Sequence, residues 1–447
     1  MSIATLVERL FPGSRRELIT GGVPVSDLAG RFGTPLFAYD AGVADARWAR
    51  LRAAVPAECA IAYSVKANPN PAILRRFIAR GAGLEIASAG ELQLALRAGC
   101  PRDAVLFAGP AKTDAAIEAA LQERIGEIHL ESVGEARRAD AIARRLGVTA
   151  PVAIRVNPAE DAQGGAMRMG GRSAPFGVDE EALQDVIAVV LSRPSVDFRG
   201  IHLFSGTQIL DYTVLLRQYR KALAIARSVA ARYGVVVRTL DVGGGLGIPY
   251  FDGETELDVE RLGKGLEELV GRCQQDPLLA SARIMLEPGR YLIGEAGLYV
   301  TRVIDIKVSR GKKFVIVDGG MNHHLAASGN LGQVIKRNFP VALVERLDEA
   351  PKETVDVVGP LCTPLDVLAR DVRLPSAKIG DLFAVFQSGA YARTASPLGF
   401  LSHASPAEVM VDDRTVTLIR RRGTHADLFH DLPDTGELPA VTTPRAS

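Results

Sequence analysis

Eight short apolar runs, separated by stretches of helical pattern, lie between residues 60 and 290 and constrain this 447-residue chain more than any other feature. They read IAYSVKA (61–67), GLEIAS (83–88), VLFAG (105–109), EIHLES (127–132), VAIRVNP (152–158), FRGIHLFSG (198–206), RTLDVGGG (238–245) and ARIMLEPG (282–289). The first intervening helix is well marked. Asn70 suits its cap and Pro71 its first turn, Ile73, Leu74, Phe77 and Ile78 form an apolar stripe, and Gly81 ends it. The next repeats the form, with Leu92, Ala95 and Leu96 inward and Gly99 as the stop. Strands alternating with helices indicate parallel βαβ units, and eight of them predict a closed (β/α)8 barrel of the TIM-like kind rather than an open sheet.

The texture changes after about residue 296. The segment LYVTRVIDIKVSRGKKFVIVDGG holds two β-rich runs around a Ser-Arg-Gly-Lys turn, and DLFAVFQSGAYA and AEVMVDDRTVTLIRRR are also strand-like. These predict a second, mostly antiparallel β domain. The expected organisation is an N-terminal segment 1–40 packing partly with that domain through PLFAYD (35–40), a barrel over 41–290, the β domain over 291–425, and a disordered Pro/Thr-rich tail over 426–447. The Gly-rich stretch 164–175 reads as a mobile loop.

Composition narrows the partners. Apolar residues make up 47% and charged residues 23%, as in ordinary soluble domains, and the net charge of +1 favours neither nucleic acid nor an anionic membrane as partner. The four cysteines, Cys59, Cys100, Cys273 and Cys362, show no CxxC pairing, which points to a reducing, cytoplasmic setting without disulfides or zinc knuckles. Neither a secretory signal nor a membrane span is legible.

Barrels of this kind place their chemistry at the C-terminal ends of the strands. Those ends carry Lys66, then Glu85 and Ser88, Arg155 and Asn157, His202 and Ser205, Gly243, Gly244 and Gly245, and finally Glu287, Pro288, Gly289 and Arg290. Singly, each has a plainer use: a strand-end lysine reaching water, a packed core histidine, a local Glu-Arg pair, a tight glycine turn. Together they suit one cofactor. A lysine can bond an aldehyde, a carboxylate can hold a pyridine nitrogen protonated, an imidazole can lie on an aromatic ring, and glycine turns can take a phosphate. That cofactor is pyridoxal 5′-phosphate.

In YSVKAN (63–68), HLFSGTQ (202–208), DVGGGLG (241–247), EPGR (287–290), GPLCTPLD (359–366) and GAYA (389–392), in that order, the chain resembles the barrel-type (fold type III) pyridoxal-phosphate decarboxylases. This is the group of diaminopimelate, ornithine and arginine decarboxylases, whose barrel is alanine racemase-like. The resemblance implies that Lys66 bonds the cofactor aldehyde, Glu287 partners its ring nitrogen and His202 stacks on the ring. It implies that Ser205, Gly244, Gly245, Gly289, Arg290 and the Tyr391 hydroxyl hold the phosphate, with Glu85 a carboxylate near the cofactor. Cys362 resembles the cysteine that a second subunit inserts as proton donor, which implies a homodimer with shared sites. Substrate contacts are implied at Thr363, Asp366 and His323.

Departures from the family pattern shape the expected substrate. Diaminopimelate members read C-E-S-G-D where this chain has Cys362-Thr363-Pro364-Leu365-Asp366, and Thr363 cannot pair with the far amino group of a dibasic substrate. The Tyr-Asn pair expected after GAYA is replaced by SPLGFLSHA. The chain is most similar to a secondary-metabolism branch that decarboxylates modified amino acids or amino acids held on acyl-carrier proteins. Diaminopimelate decarboxylase proper is the alternative. A racemase of the same fold would hold the ring nitrogen with arginine, and a non-catalytic relative would lose Lys66 or Cys362; Glu287, Lys66 and Cys362 count against both. The adjacent His323 and His324 lack a third ligand at matching spacing, so no metal is expected. The basic run LIRRRGTH (418–425) reads as a solvated strand end, with an acidic carrier protein as the other use.

Overall fold

The structure, a computed structural model, describes residues 2–159, 167–168 (backbone only), 173–204, 206–333 and 335–432. Ser205, most of the Gly-rich stretch 164–175 and the end of the tail, 433–447, lie outside the described residues. After helix α1 (Ile3–Leu10), strand β1 (Leu36–Asp40) and helix α2 (Ala41–Ala54), eight parallel strands follow. They are β2 (Ala60–Ser64), β3 (Gly83–Ile86), β4 (Val105–Phe107), β5 (Glu127–Leu130), β6 (Ala150–Asn157), β7 (Val196–Leu203), β8 (Thr239–Asp241) and β9 (Arg283–Leu286). Each pairs with the next, β9 pairs with β2, and the sheet closes into the barrel read from the sequence.

The helix signals act as read. Asn70 Oδ1 accepts from the Ala72 N–H at 3.0 Å with Pro71 in the first turn, and Gly99 ends the next helix in the left-handed region at φ +85°. Along β2 the faces alternate. Ile61 and Tyr63 join the main core under the helices, the Tyr63 ring 4.6 Å from that of Phe77. Ala60 and Ala62 point the other way and meet Leu106 and Met285 in a separate apolar plug inside the barrel. The run expected as one strand through residue 67 breaks early: β2 stops at Ser64, and Lys66 sits in a 3-10 turn, Val65–Ala67. The Ala67 carbonyl accepts the Tyr391 N–H at 2.8 Å, a tertiary bond that sequence pattern cannot foresee.

The second layer consists of β10 (Gly297–Ser309), β11 (Lys312–Val317), β12 (Val341–Leu343), β13 (Glu353–Val358), β14 (Val367–Leu374), β15 (Leu382–Val385), β16 (Ala407–Asp412) and β17 (Thr415–Arg420). Its pairings are antiparallel except β11 with β13 and β16 with β1. Strand β1, from the N-terminal segment, lies between β10 and β16. The chain stays ordered past residue 425, because Thr424 and Asp427 cap the turn His425–Phe429 reciprocally. In the basic run, Arg420 pairs with Glu408, Arg421 with Asp427, and Arg422 donates to the carbonyls of Phe32 and Pro35, so these charges are spent within the chain. No helix among the described residues is long and apolar enough to cross a membrane.

Two buried carboxylates tie barrel to β domain. Glu295 receives Arg9 at 2.6 Å and pairs with Arg47 of α2. Glu408 on β16 accepts from Tyr39 at 2.8 Å and from Asn70 at 3.2 Å. Breaking a buried pair leaves uncompensated charge. Glu295→Ala should therefore cost about 3 kcal/mol of stability, read from the denaturant midpoint; Glu256, which also pairs with Arg9 and Arg47, keeps the loss from growing larger. In the β domain, His324 lies fully buried between the rings of Phe37, Tyr299 and Phe339, and burial pushes its imidazole down from 6.5 to about 3. The unfolded chain binds this proton more readily, so the contribution is present above about pH 6.5 and is lost as pH falls toward 3. Urea melts at stepped pH should show that acid slope, and His324→Gln should flatten it.

Candidate active site

The strand ends converge on a cavity of about 1010 Å3. Lys66, Glu85, His202, Glu287, Arg290 and Tyr391 line it, so six residues read from distant motifs meet at one wall. Register explains much of this. Ser64 is level with Glu85 on the neighbouring strand, and His202 lies level with Arg155 on one side and Asp241 on the other.

Lys66 Nζ donates to both oxygens of Glu85 at 3.1 Å, and Ser64 Oγ donates to Oε2 of the same buried carboxylate. Burial works against the ammonium, but Glu85, then Tyr391 and Glu287, outweigh it and raise Lys66 above the ordinary lysine value. The accessible part of Lys66 faces the cavity, with Nζ 5.7 Å from the Phe204 ring centre.

A second buried acidic group stands on the same wall. Glu287 Oε2 lies 3.5 Å from His202 Nε2, and Asp241 sits beside it. Two carboxylates this close and this dry do not both ionise. Burial, then the neighbouring Glu287, push Asp241 far above the usual carboxylate range, so it keeps its proton. Burial opposes the Glu287 charge too, but His202 and then Lys66 outweigh it and hold that carboxyl below its usual range. Burial also lowers His202 below the ordinary histidine value, against the pull of Glu287. Asp241 Oδ1 accepts the Gly243 N–H at 2.8 Å, which folds the glycine turn back over the strand end.

The glycine turns are demanded by the barrel itself. A Cβ on Gly244 would lie 2.2 Å from the Glu287 carbonyl oxygen, and Gly245 has φ +87°. Gly289 packs on Ser64 and Ala67 in the adjoining loop. Arg290 donates to the Tyr250 hydroxyl at 2.9 Å and lies over the Tyr391 ring at 4.6 Å. The β domain thus closes one side of the barrel mouth.

His202 Nε2, Glu287 Oε1 and Arg290 Nε are buried and have no hydrogen-bond partner among the described residues. An unpaired buried carboxylate oxygen is costly, and it suits a protonated aromatic nitrogen. The lysine amine suits an aldehyde, and the cavity has room for both cofactor and substrate. The donor set fits pyridoxal 5′-phosphate. His129, His202, Asp241 and Glu287 also have ligand atoms within 4.8 Å of one another, close enough to surround a metal ion, but His129 and His202 already bond each other through their Nδ1 atoms at 2.8 Å.

The other named residues lie apart from this wall. Cys362 is exposed and Thr363 lies in the same loop; neither lines the cavity. Asp366 is buried and accepts the N–H groups of Met321 at 2.6 Å and Leu361 at 2.9 Å, so both its oxygens staple that loop. His323 is buried near the Tyr299 hydroxyl at 3.3 Å. Four residues of the site carried no assigned role in the sequence: His129, Glu127, Asp241 and Tyr250. For the first two a signal existed, since Glu127, His129 and Glu131 put three polar groups on one face of a buried strand.

Comparison with known proteins agrees with this chemistry. Residues 42–294 match the family described as pyridoxal-dependent decarboxylase, pyridoxal binding domain. The chain is 37% identical to an L-glutamyl-(BtrI acyl-carrier protein) decarboxylase of Niallia circulans, over 90% of this chain and 95% of that one. It is 34% identical to a diaminopimelate decarboxylase of Aquifex aeolicus, over 91% and 93%. The crystal structure of diaminopimelate decarboxylase from M. jannaschii in co-complex with L-lysine superposes with a TM-score of 0.86 at 27% identity, covering 95% of this chain and 98% of that one. The chain therefore belongs to the pyridoxal-dependent decarboxylases, and is an enzyme that removes carbon dioxide from an amino acid or its derivative with pyridoxal 5′-phosphate as cofactor.

Proposed function

We propose that the enzyme decarboxylates an amino acid tethered to an acyl-carrier protein, with Lys66 holding the cofactor aldehyde and Glu287 its ring nitrogen. The observation that carries the site assignment is the convergence of Lys66 with two orphaned buried atoms, Glu287 Oε1 and His202 Nε2, on one cavity. Bound pyridoxal phosphate supplies an aldehyde for exchange with the substrate amine and a ring that takes up the electron pair left by departing carbon dioxide.

The chain's own groups do the rest. Glu85 takes and returns the Lys66 proton, since both its oxygens lie at 3.1 Å. The ionised Glu287 keeps a proton on the ring nitrogen, and His202 covers one ring face. Gly244, Gly245, Gly289, Arg290 and Tyr391, with Ser205, hold the phosphate. Cys362 is exposed in its own chain, which suits delivery to the cavity of a second copy as proton donor to Cα, with Thr363 and the loop stapled by Asp366 beside it. This requires a homodimer with shared sites.

Three features support a tethered substrate. Similarity is 37% to the carrier-protein decarboxylase and 34% to the diaminopimelate enzyme from Aquifex. Thr363 offers no charge to a distal ammonium. Phe251, Phe339, Leu331 and Ile335 line the cavity, where Arg337 pairs with Glu254 at 3.1 Å, and this mostly apolar lining suits an uncharged arm. Carbon dioxide release should be faster from aminoacyl carrier protein than from free meso-diaminopimelate; faster release from the free amino acid would overturn the reading.

Lys66→Ala should abolish turnover and the visible absorbance of the bound cofactor, and retained decarboxylation would remove the assignment. Cys362→Ala should slow product formation or divert it to side reactions while the cofactor stays bound. Mixing inactive Lys66→Ala with Cys362→Ala protein should restore up to about a quarter of wild-type activity, because half the dimers would then hold one intact site of two. No recovery on mixing would refute the shared site.

A further inference from the structure

A row of buried polar groups runs across the barrel interior to His202 and Glu287 at the cavity. Glu127 and His129 occupy alternate positions of β5 and face the barrel interior. Thr239 Oγ1 donates to Glu127 Oε2 at 2.7 Å, and Glu127 Oε1 lies 3.0 Å from His129 Nε2. The other nitrogen of that ring, Nδ1, lies 2.8 Å from His202 Nδ1, with the ring planes tilted at 55°. His202 then faces Glu287 through Nε2 at 3.5 Å. The chain Thr239–Glu127–His129–His202–Glu287 crosses the barrel from β8 through β5 and β7 to the end of β9, and all five residues are buried.

Proton counting makes the two rings dependent on each other. The Glu127 carboxylate can only accept, so His129 donates from Nε2. Contact between two Nδ1 atoms needs one proton and one lone pair. If His202 supplied that proton, its own Nε2 would turn a lone pair toward the Glu287 carboxylate. If His129 supplies it, both nitrogens of that ring carry protons, one proton more than in the first arrangement, and His202 turns an N–H toward Glu287. The second arrangement holds its extra positive charge between the Glu127 and Glu287 carboxylates and turns no lone pair toward either of them.

We propose that His129, anchored by Glu127, is a positioning residue that fixes the tilt and tautomer of His202 and, through it, the negative charge that Glu287 offers the cofactor ring. The inference rests on the reading of His202 and Glu287 as ring contacts. It adds to that reading a reason for a histidine and a carboxylate two residues apart on a strand that lines no part of the cavity.

The test uses the full-length holoenzyme and three variants: His129→Leu, His129→Asn and Glu127→Gln. Two quantities are read: the dissociation constant for pyridoxal phosphate, from fluorescence titration, and the position of the bound cofactor's visible band. His129→Leu and Glu127→Gln should each weaken cofactor binding at least about 10-fold, the worth of a hydrogen bond to a charged group, and shift the band. His129→Asn keeps an N–H within reach of His202 and should return to within about 3-fold of wild type, with the band restored. Folded His129→Leu and Glu127→Gln proteins with wild-type affinity and an unmoved band would overturn the inference. If His129→Leu fails to fold, the near-isosteric Glu127→Gln decides by the same two readings. His202→Ala and Glu287→Gln serve as controls. If they too leave affinity and band unchanged, the underlying reading of the ring contacts has failed; if they change both while His129 and Glu127 variants do not, only this inference has.

Discussion

The barrel is organised around one negative charge kept dry. Burying a carboxylate is expensive, and the molecule meets that cost at Glu287 with polar neighbours from four different strands rather than with one ion-pair partner. Lys66 approaches from the end of β2, His202 from β7 and His129 from β5, while Asp241 on β8 surrenders its own charge by staying protonated. No single βα unit could supply that set. A closed parallel barrel does so by construction, because every strand ends at the same rim.

The same constraint explains why the barrel interior is divided. Its floor is a small apolar plug of Ala60, Ala62, Leu106 and Met285. Beside it lie Glu127, level with Leu106, and Asp241, level with Met285, together with His129 and Thr239. The polar layer would be a liability in a core that served only stability, since each group needs its partner. Here Thr239, Glu127 and His129 are bonded to one another, while Glu287 Oε1 and His202 Nε2, on residues that line the cavity, have no partner among the described residues. An enzyme that must present a charged acceptor to an aromatic nitrogen leaves those positions open for the cofactor.

Much of this was legible in the sequence, for physical reasons that also mark where legibility stops. Strand–helix alternation and the caps at Asn70 and Gly99 are local, so the barrel could be read. Lys66, His202, Glu287 and Arg290 stand at strand ends, where a rim is predicted, and each differs in type from its apolar run. The break of β2 at Ser64 was not legible: the turn that follows it bonds to Tyr391, over three hundred residues away. The role of Asp366 was obscured for a similar reason. An acidic residue in a Cys-containing loop looks like a substrate contact, but its oxygens meet the amides of Met321 and Leu361, and one of those donors comes from a separate loop. Asp241 was quoted within its motif but read for its glycines, since sequence alone does not reveal that a second carboxylate will lie beside it.

The β domain contributes to the site more than a lid would. Tyr391 has φ +54°, an unfavourable region for a residue with a side chain, and is held there by its bond to the Ala67 carbonyl in the turn that carries Lys66. Its ring lies under Arg290, whose guanidinium is also bonded to Tyr250. The lysine turn, the arginine and the tyrosine are therefore joined by direct contacts, and the Asn70–Glu408–Tyr39 bonds fasten the following helix to β1 and β16. Strand β1 precedes the barrel in sequence but pairs within the β domain. The chain passes from that sheet into the barrel and back again, so the geometry at Lys66 is fixed from both sides of the domain junction.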